Sequence, residues 1–321
     1  MIILSEVNQK IIQMIQYGAT ANEISQAVGI TNKQLFYRLH MLQIKGYEFL
    51  KKYYYDGEIG YQLCKNIQNE KSISLLTKPE DTVIEMVLIS DLHLAHNKER
   101  IDRLDKIYEF CGKKGIHIIV NGGDIIDGIN GNIGCKKIKI GEEQIEYLLK
   151  NHPHDKNIIN FVCLGNHDRS ILKNLGLNLE NILSIYRHDI VSLGYNFGKL
   201  KIKNDEIVVR HGKNGPRVDS RIELLGHTHR FKDLSYEGHV IIALPTVSDL
   251  NRTPFLPGFI KATIYFEQGV IKLIVFEQYN FLDRMHKVNE FSYEIYNNNN
   301  MEIMKIANEE NRVPYHIRVK S

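Results

Sequence analysis

The sequence predicts an α/β chain, grading into α+β, preceded by a small, mainly helical block. Three observations predict it. Residues 1–63 place apolar side chains at helical spacing and then run into two tyrosine-rich, strand-like stretches. From residue 83, apolar runs of strand length alternate with helical patterns. From about residue 188, short strands and hairpin turns such as Asn204-Asp205 take over. Bulk composition permits this organisation, since 321 residues are long for one domain and comfortable for two. Hydrophobic content of 43% and charged content of 25% are ordinary globular values. A formal net charge of +3 is too small to announce a nucleic-acid binder from composition alone.

Several classes are disfavoured at once. The four cysteines (Cys64, Cys111, Cys135, Cys163) form no CxxC pair, which points away from zinc ribbons and disulfide frameworks. A reduced, cytoplasmic setting is therefore expected. The start MIILSEVNQK lacks the basic and long apolar regions of a signal peptide. No stretch approaches the ~18 apolar residues of a membrane span.

In the first block, Ile11, Ile12, Met14 and Ile15 lie on a predicted helix that stops at Gly18. Thr20-Ala21-Asn22-Glu23 has the form of a capping box, in which the threonine accepts from the Glu23 amide while Glu23 reaches back. It opens the short helix ANEISQAV, closed by Gly29. Thr31 caps a longer helix, NKQLFYRLHMLQIK, with Leu35, Leu39 and Leu42 on one side. YEFLKKYYYDGEIGYQL then reads as two strands about the turn Asp56-Gly57. Three helices and a hairpin over residues 1–63 resemble a winged helix-turn-helix domain. Lys33 and Arg38 on the second helix of that motif, and Lys51 and Lys52 on the wing, are candidate DNA contacts. A protein-interaction role is the alternative.

Residues 64–82 are polar, carry a proline near their end, and are expected to form a linker. Beyond them, strands are predicted over 83–90, 116–120 and 158–164, with helices over 98–114 and 142–150. The α/β part is expected to run over 83–280, leaving 281–321 as a C-terminal extension with a loop at the NNNN of 297–300.

Chemistry concentrates where these apolar runs end. VLIS is followed by Asp91-Leu92-His93, and IHIIVN by Gly122-Gly123-Asp124-Ile125-Ile126-Asp127. IINFVCL is followed by Gly165-Asn166-His167-Asp168, EIVVR by His211-Gly212, and IELL by Gly226-His227-Thr228-His229. Ligands of α/β folds collect at the carboxyl ends of strands. Alternation in an extended segment would bring Asp91 beside His93 and His227 beside His229. Gly123, Gly165 and Gly226 would let the backbone turn sharply there. One such motif is usually a polar loop, but five in order make a metal site.

The series D-x-H, G-D-x-x-D, G-N-H-D, H-G, G-H-x-H resembles the calcineurin-like metallophosphoesterase superfamily, with every motif complete over about residues 83–280. The resemblance implies a β-sandwich flanked by helices and two divalent metal ions. Asp91, His93, Asp124 and His229 would hold one ion, and Asp124, Asn166, His211 and His227 the other, with Asp124 bridging. Mixed imidazole nitrogen and carboxylate or amide oxygen ligands suit Mn, Fe, Zn or Co better than Mg or Ca, and Mn2+ is the expected ion. The resemblance makes His167 the general acid and Asp127 the carboxylate that orients it. His96 and Arg169 are candidate substrate contacts.

These motifs fix a metal-dependent phosphoric ester hydrolase, not its substrate. The aspartate ending GNHD resembles the nuclease and phosphodiesterase branches of that superfamily, and with the N-terminal block it makes a DNA-directed nuclease or phosphodiesterase the expectation. The alternatives are a phosphatase acting on phosphoprotein or a small phosphorylated molecule, and a ligand-sensing DNA-binding regulator. DNA is the expected partner and a membrane is not. A protein partner and homodimerisation stay open.

Overall fold

The computed structural model describes residues 5–44, 47, 49–53, 59–63, 72–75, 80–130, 133–212, 220–236, 238–250, 255–282, 284–295 and 305–307. The chain divides into two compact units, Met1–Asn69 with Arg169–Leu179, and Glu70–Asp168 with Glu180–Ser321.

The first unit contains α1 (Glu6–Gln16), α2 (Ala21–Val28), α3 (Asn32–Ile44), β1 (Phe49–Tyr53) and β2 (Ile59–Leu63). Side chains satisfy the helix amides that lack intrahelical partners. The Glu23 amide donates to Thr20 Oγ1 at 3.3 Å while the Thr20 amide donates to Glu23 Oε2 at 2.7 Å. Thr31 and Gln34 repeat the exchange at the start of α3, at 3.2 and 2.9 Å. Gly29 ends α2 with φ +69°, a left-handed conformation open to glycine at little cost. The apolar stripes of the three helices meet in a core of Ile11, Ile15, Ile24, Leu35, Leu39 and Leu42. β1 and β2 pair antiparallel, Phe49 opposite Leu63 and Tyr53 opposite Ile59. The turn expected at Asp56-Gly57 lies outside the described residues.

The second unit opens with β3 (Ser72–Leu75), β4 (Val83–Ile89), α4 (Ile101–Lys114), β5 (Ile118–Asn121), α5 (Gly141–Asn151) and β6 (Ile159–Leu164). It continues through α6 (Asn166–Leu175), of which only the first three residues belong here, then α7 (Leu179–Tyr186), β7 (Ile190–Tyr195), β8 (Phe197–Ile202) and β9 (Asp205–His211). β10 (Ile222–Gly226), β11 (Lys232–Asp233), β12 (Val240–Ala243), β13 (Gly258–Glu267), β14 (Val270–Phe281), β15 (Met285–Glu294) and β16 (Lys305–Ala307) follow.

These strands form two sheets. One has the order β11-β12-β10-β9-β8-β3, the other β16-β15-β14-β13-β4-β5-β6-β7. Met86, Leu88, Val120 and Phe161 of the larger sheet share a core with Leu200, Val209, Leu224 and Ile242 of the smaller one. The two sheets are therefore packed face to face, and each such side chain contributes ~1.5–3 kcal/mol on burial. α4 covers the outer side of the larger sheet, its Phe110 ring 5.2 Å from that of Phe259 on β13.

Two boundaries drawn from composition need correction. The stretch 64–82, expected as a linker, contains β3, which pairs parallel with β8. SISL alternates serine with half-buried Ile73 and Leu75, so its polarity is that of an edge strand. The extension expected from 281 contains β15 and β16, which prolong the larger sheet beyond β14. The β8–β9 hairpin pairs Ile202 with Asp205, placing its two-residue turn at Lys203-Asn204, one position earlier than expected. Among the described residues no helix is long and apolar enough to cross a membrane.

Candidate metal centre

β4, β5 and β6 run parallel in the larger sheet, as do β9 and β10 in the smaller one. Asp91 and His93 follow β4, Asp124 and Asp127 follow β5, and Asn166 and His167 follow β6. His211 ends β9, while His227 and His229 follow β10. Side chains from the carboxyl ends of both sheets thus reach one place.

The local backbone there is not extended. Asp91, His93, Asp124, His227 and His229 all have positive φ, between 47° and 76°. The alternation argument for the two D-x-H and H-x-H pairs is corrected accordingly: left-handed turns, not an extended segment, bring each pair together. Such conformations cost ~1–3 kcal/mol each and persist only where surroundings over-determine them. Here they do. The Asp91 amide donates to Gly123 O and the His93 amide to Asp124 O, both at 2.9 Å. Thr246 Oγ1 and Ser248 Oγ donate to the Asp91 carbonyl at 2.7 and 3.0 Å. The His227 amide donates to the Asp91 carboxylate at 3.0 Å.

Gly165 supplies room, not a turn. A Cβ on it would lie 2.2 Å from Asp124 Oδ1 and 2.8 Å from His211 Cδ2. Its neighbour Asp168 is fully buried and accepts from the amides of Gly165 (2.8 Å), Ile126 (3.0 Å) and Ile125 (3.3 Å). That carboxylate ties the end of β6 to the loop after β5. Burial pushes its pKa up to about 7, against the pull of those amides.

The converging side chains form overlapping groups. Asp91, His93 and His229 make one group whose ligand atoms lie within 4.8 Å of one another. Asp124, His211 and His227 make a second, and Asp124 also groups with His93 and His167. His93 Nε2 lies 3.3 Å from His229 Nε2 and 3.8 Å from Asp124 Oδ2. His229 Nε2 is 3.3 Å from Asp91 Oδ1, and His211 Nε2 is 2.9 Å from Asp124 Oδ2. Asn166 stands between Gly165 and His167, whose amide donates to Asp124 Oδ1 at 2.8 Å.

These atoms fit divalent cations. Asp124 Oδ2 and His211 Nε2 are buried and face each other at 2.9 Å with no other hydrogen-bond partner, an arrangement that is costly for groups of this polarity unless a charge faces them. A backbone carbonyl accepts only, so the ring nitrogen against it carries hydrogen. His211 Nδ1 faces Gly122 O at 2.6 Å, and His229 Nδ1 faces Leu250 O at 3.0 Å. Both imidazoles therefore turn Nε2 toward the carboxylates, the nitrogen that can take a cation once it gives up its proton, and the carbonyl behind each ring fixes that orientation.

Electrostatics point the same way. Burial alone would raise the Asp124 carboxyl, but the His211 imidazole beside it holds it well below the usual range. Burial alone would lower His211, yet Asp124 pushes it up to about 9. Asp91 is likewise lowered and His229 raised, each against the effect of burial and each by its partner. The carboxylates demand compensating positive charge, supplied by imidazolium when no cation is bound.

His167 Nδ1 donates to the main-chain carbonyl of Asp127 at 2.6 Å, while the Asp127 carboxylate is farther off, at 3.7 Å. That carboxylate pairs with Lys136 at 2.7 Å, and its other oxygen is 3.6 Å from His93 Nδ1. His96 is buried near the group, its ring 6.5 Å from that of His93, with Nδ1 accepting from the Lys98 amide. Burial lowers its pKa. Arg169 belongs to the first unit. Of the expected DNA contacts, Lys33 is exposed, whereas Arg38 donates to Asn8 on α1 at 3.1 Å. Lys51 and Lys52 lie on β1, and their side chains fall outside the described residues. His152 is buried against Arg187, and burial lowers its pKa to about 4. Lys136, Thr246 and Ser248 went unnoticed in the sequence because a lone lysine, threonine or serine carries no spacing signal.

A sandwich whose strand ends gather carboxylates and imidazoles able to hold divalent cations is that of a metal-dependent phosphoester hydrolase. The chain belongs to the calcineurin-like phosphoesterase family, whose model matches residues 85–298, and this family binds divalent metals. No curated protein matches the chain. Among solved structures, vacuolar protein sorting 29 from Cryptosporidium parvum is 15% identical, covering 71% of this chain and 100% of its own, with a TM-score of 0.42. A novel archaeal phosphodiesterase is 13% identical, covering 59% of this chain and 98% of its own, with a TM-score of 0.37. GAP50, the anchor in the inner membrane complex of Plasmodium, is 11% identical, covering 68% and 91%, with a TM-score of 0.39.

Proposed function

We propose that this protein is a dinuclear, manganese-dependent phosphodiesterase directed at DNA. The observation carrying the dinuclear assignment is that Asp124 belongs to two of the three ligand groups and lies 3.8 Å from His93 of the third. Asp91, His93, Asp124 and His229 would hold one ion, and Asp124, Asn166, His211 and His227 the other. Bound there, two cations supply Lewis acidity, activation of water and charge neutralisation of the phosphoryl group.

The chain's own residues do the rest. His167 is partly exposed, with a side-chain accessibility of 23%, and the Asp127 carbonyl fixes hydrogen on its Nδ1. Nε2 of the imidazolium then protonates the leaving oxygen as its bond to phosphorus breaks. Asp127 contributes through its carbonyl. His96, with Nδ1 occupied by the Lys98 amide, presents Nε2–H as a donor to a phosphoryl oxygen, and Arg169 is a second candidate contact.

DNA as substrate is supported by the α2–α3 pair followed by the β1–β2 hairpin, the elements of a winged helix-turn-helix domain, and by Lys33 exposed on α3. One observation favours the phosphatase alternative with a protein partner: Phe36 and Tyr37, 41% and 66% exposed, stand beside Lys33 on α3. A single comparison decides. Full-length protein with manganese is assayed on duplex and single-stranded DNA, RNA, bis-p-nitrophenyl phosphate and p-nitrophenyl phosphate, beside a variant with Lys33, Lys51 and Lys52 changed to alanine. The proposal expects diester cleavage, DNA affinity that falls with salt, and a log–log salt slope shallower in the variant by ~0.9 for each phosphate no longer neutralised. Monoester preference with salt-independent DNA affinity would replace it by the phosphatase.

A further inference from the structure

Lys136 is nearly inaccessible, with a side-chain exposure of 2%. Its ammonium donates to Asp127 Oδ2 at 2.7 Å, to Gly128 O at 2.8 Å and to Asn130 O at 2.9 Å. Three acceptors satisfy three N–H groups, so no hydrogen-bonding capacity is left for a ligand. The same residue is anchored through its own backbone, which bridges to His96 as an antiparallel pair. On either side, the Asn97 amide donates to Cys135 O at 2.9 Å and the Lys137 amide to Ala95 O at 2.8 Å. The segment around Lys136 is thereby fastened to the loop that carries Asp91 and His93.

Buried Gln144 adds a second clasp, donating to Gly128 O at 3.0 Å and Ile138 O at 2.8 Å. Asp127 itself is fixed from the other direction, its amide donating to Leu94 O at 2.8 Å. What emerges from this clamp is the Asp127 carbonyl, 2.6 Å from His167 Nδ1. A bond that short leaves little freedom in carbonyl position before the imidazole must rotate.

We infer that Lys136 is a positioning residue: by gripping the oxygens of Asp127, Gly128 and Asn130 it holds the Asp127 carbonyl where it locks His167 in the Nδ1–H tautomer and one orientation. The inference rests on the role proposed above for His167 as the acid. Lys136 touches neither substrate nor reacting atoms. Its loss should therefore resemble a weakened acid, with metal content intact.

The test uses full-length protein and three variants, with the third also combined with each of the first two. Lys136→Met removes the grip but leaves a buried carboxylate uncompensated, a change that can itself unfold a protein. Asp127→Asn combined with Lys136→Met removes the grip and both charges, so the fold is spared that burden. His167→Asn reports the acid directly. Each is assayed on two phosphodiesters with the same transferred group, thymidine 5′-p-nitrophenyl phosphate and thymidylyl-thymidine. Histidine ring nitrogens are followed by NMR in metal-free protein, independently of turnover.

Both Lys136 variants should lose ~10–100-fold in kcat on the dinucleotide, part of the ~10²–10⁴ of general-acid catalysis, and several-fold less on the nitrophenyl ester. Adding His167→Asn to them should bring activity only to the level of His167→Asn alone, and in the Lys136 variants the His167 ring should change from one tautomer to a mixture. If His167→Asn shows the leaving-group-dependent loss while the charge-neutral double variant cleaves both esters like wild type and keeps one tautomer, the Lys136 inference is wrong. A uniform loss from His167→Asn would instead overturn the acid assignment. The NMR result then judges Lys136 alone: a His167 ring still locked in the folded double variant refutes the positioning role.

Discussion

Loading the metal centre should release protons, and the amount follows from His211. Its pKa stands at about 9 in the metal-free protein, so at pH 7 its ring is an imidazolium. Nε2 can bind a cation only after losing that proton. Two pK units of deprotonation cost about 2.7 kcal/mol, so metal affinity at pH 7 should be ~100-fold weaker than its plateau above pH 9. The apparent association constant should rise roughly tenfold per pH unit over that interval, more steeply where His229, also raised, still holds a proton. Calorimetric titration of chelator-treated protein with Mn2+, in buffers of different ionisation enthalpy, counts the protons directly. About one or more should leave per protein at pH 7. The sign reverses for the metal-free fold. A raised His211 stabilises it fully below pH 6.5, and that contribution fades as pH climbs through about 9. Lowered Asp124 acts oppositely, stabilising above the ordinary 3.8 and losing its effect in acid. Metal affinity flat between pH 7 and 9, with no proton released, would refute the assignment of His211 Nε2 as a ligand held charged by Asp124.

Other expectations are equally direct. Asp124→Asn should abolish two-metal occupancy and turnover, and metal analysis finding two equivalents with activity retained would contradict the shared carboxylate. Gly165→Ala places a methyl 2.2 Å from Asp124 Oδ1, so it should cost ~1–3 kcal/mol by overpacking and more in metal affinity, checked by thermal melts with and without Mn2+. Thr246→Val and Ser248→Ala each remove a hydrogen bond to the Asp91 carbonyl, worth ~0.5–1.5 kcal/mol in denaturant titrations. His167→Asn should keep both metals while slowing alkyl esters ~10²–10⁴-fold, and loss of metal instead would make it a ligand.

The positions of the metal-centre side chains were legible because their chemistry is local. Aspartate, histidine and glycine directly after apolar runs such as VLIS and IHIIVN mark strand ends, and five such ends in order identify a shared site. Helix boundaries in the first unit were legible for the same reason, since the Thr20–Glu23 exchange closes within four residues. The polar edge strand β3 was not, because four residues of alternating serine and apolar side chain look like a linker until β8 stands beside them. Only the tertiary structure decided how the ligands meet. Left-handed turns at Asp91 and His93 are tolerated only because Gly123, Thr246 and Ser248, distant in sequence, bind that backbone. Likewise Lys136 has no meaning as a residue type, and acquires one where the fold gathers the oxygens of Asp127, Gly128 and Asn130 around its ammonium. Sequence determined which groups could hold a cation, through their chemistry and their place at strand ends. Their orientation depends on hydrogen bonds between remote segments, which no local pattern encodes.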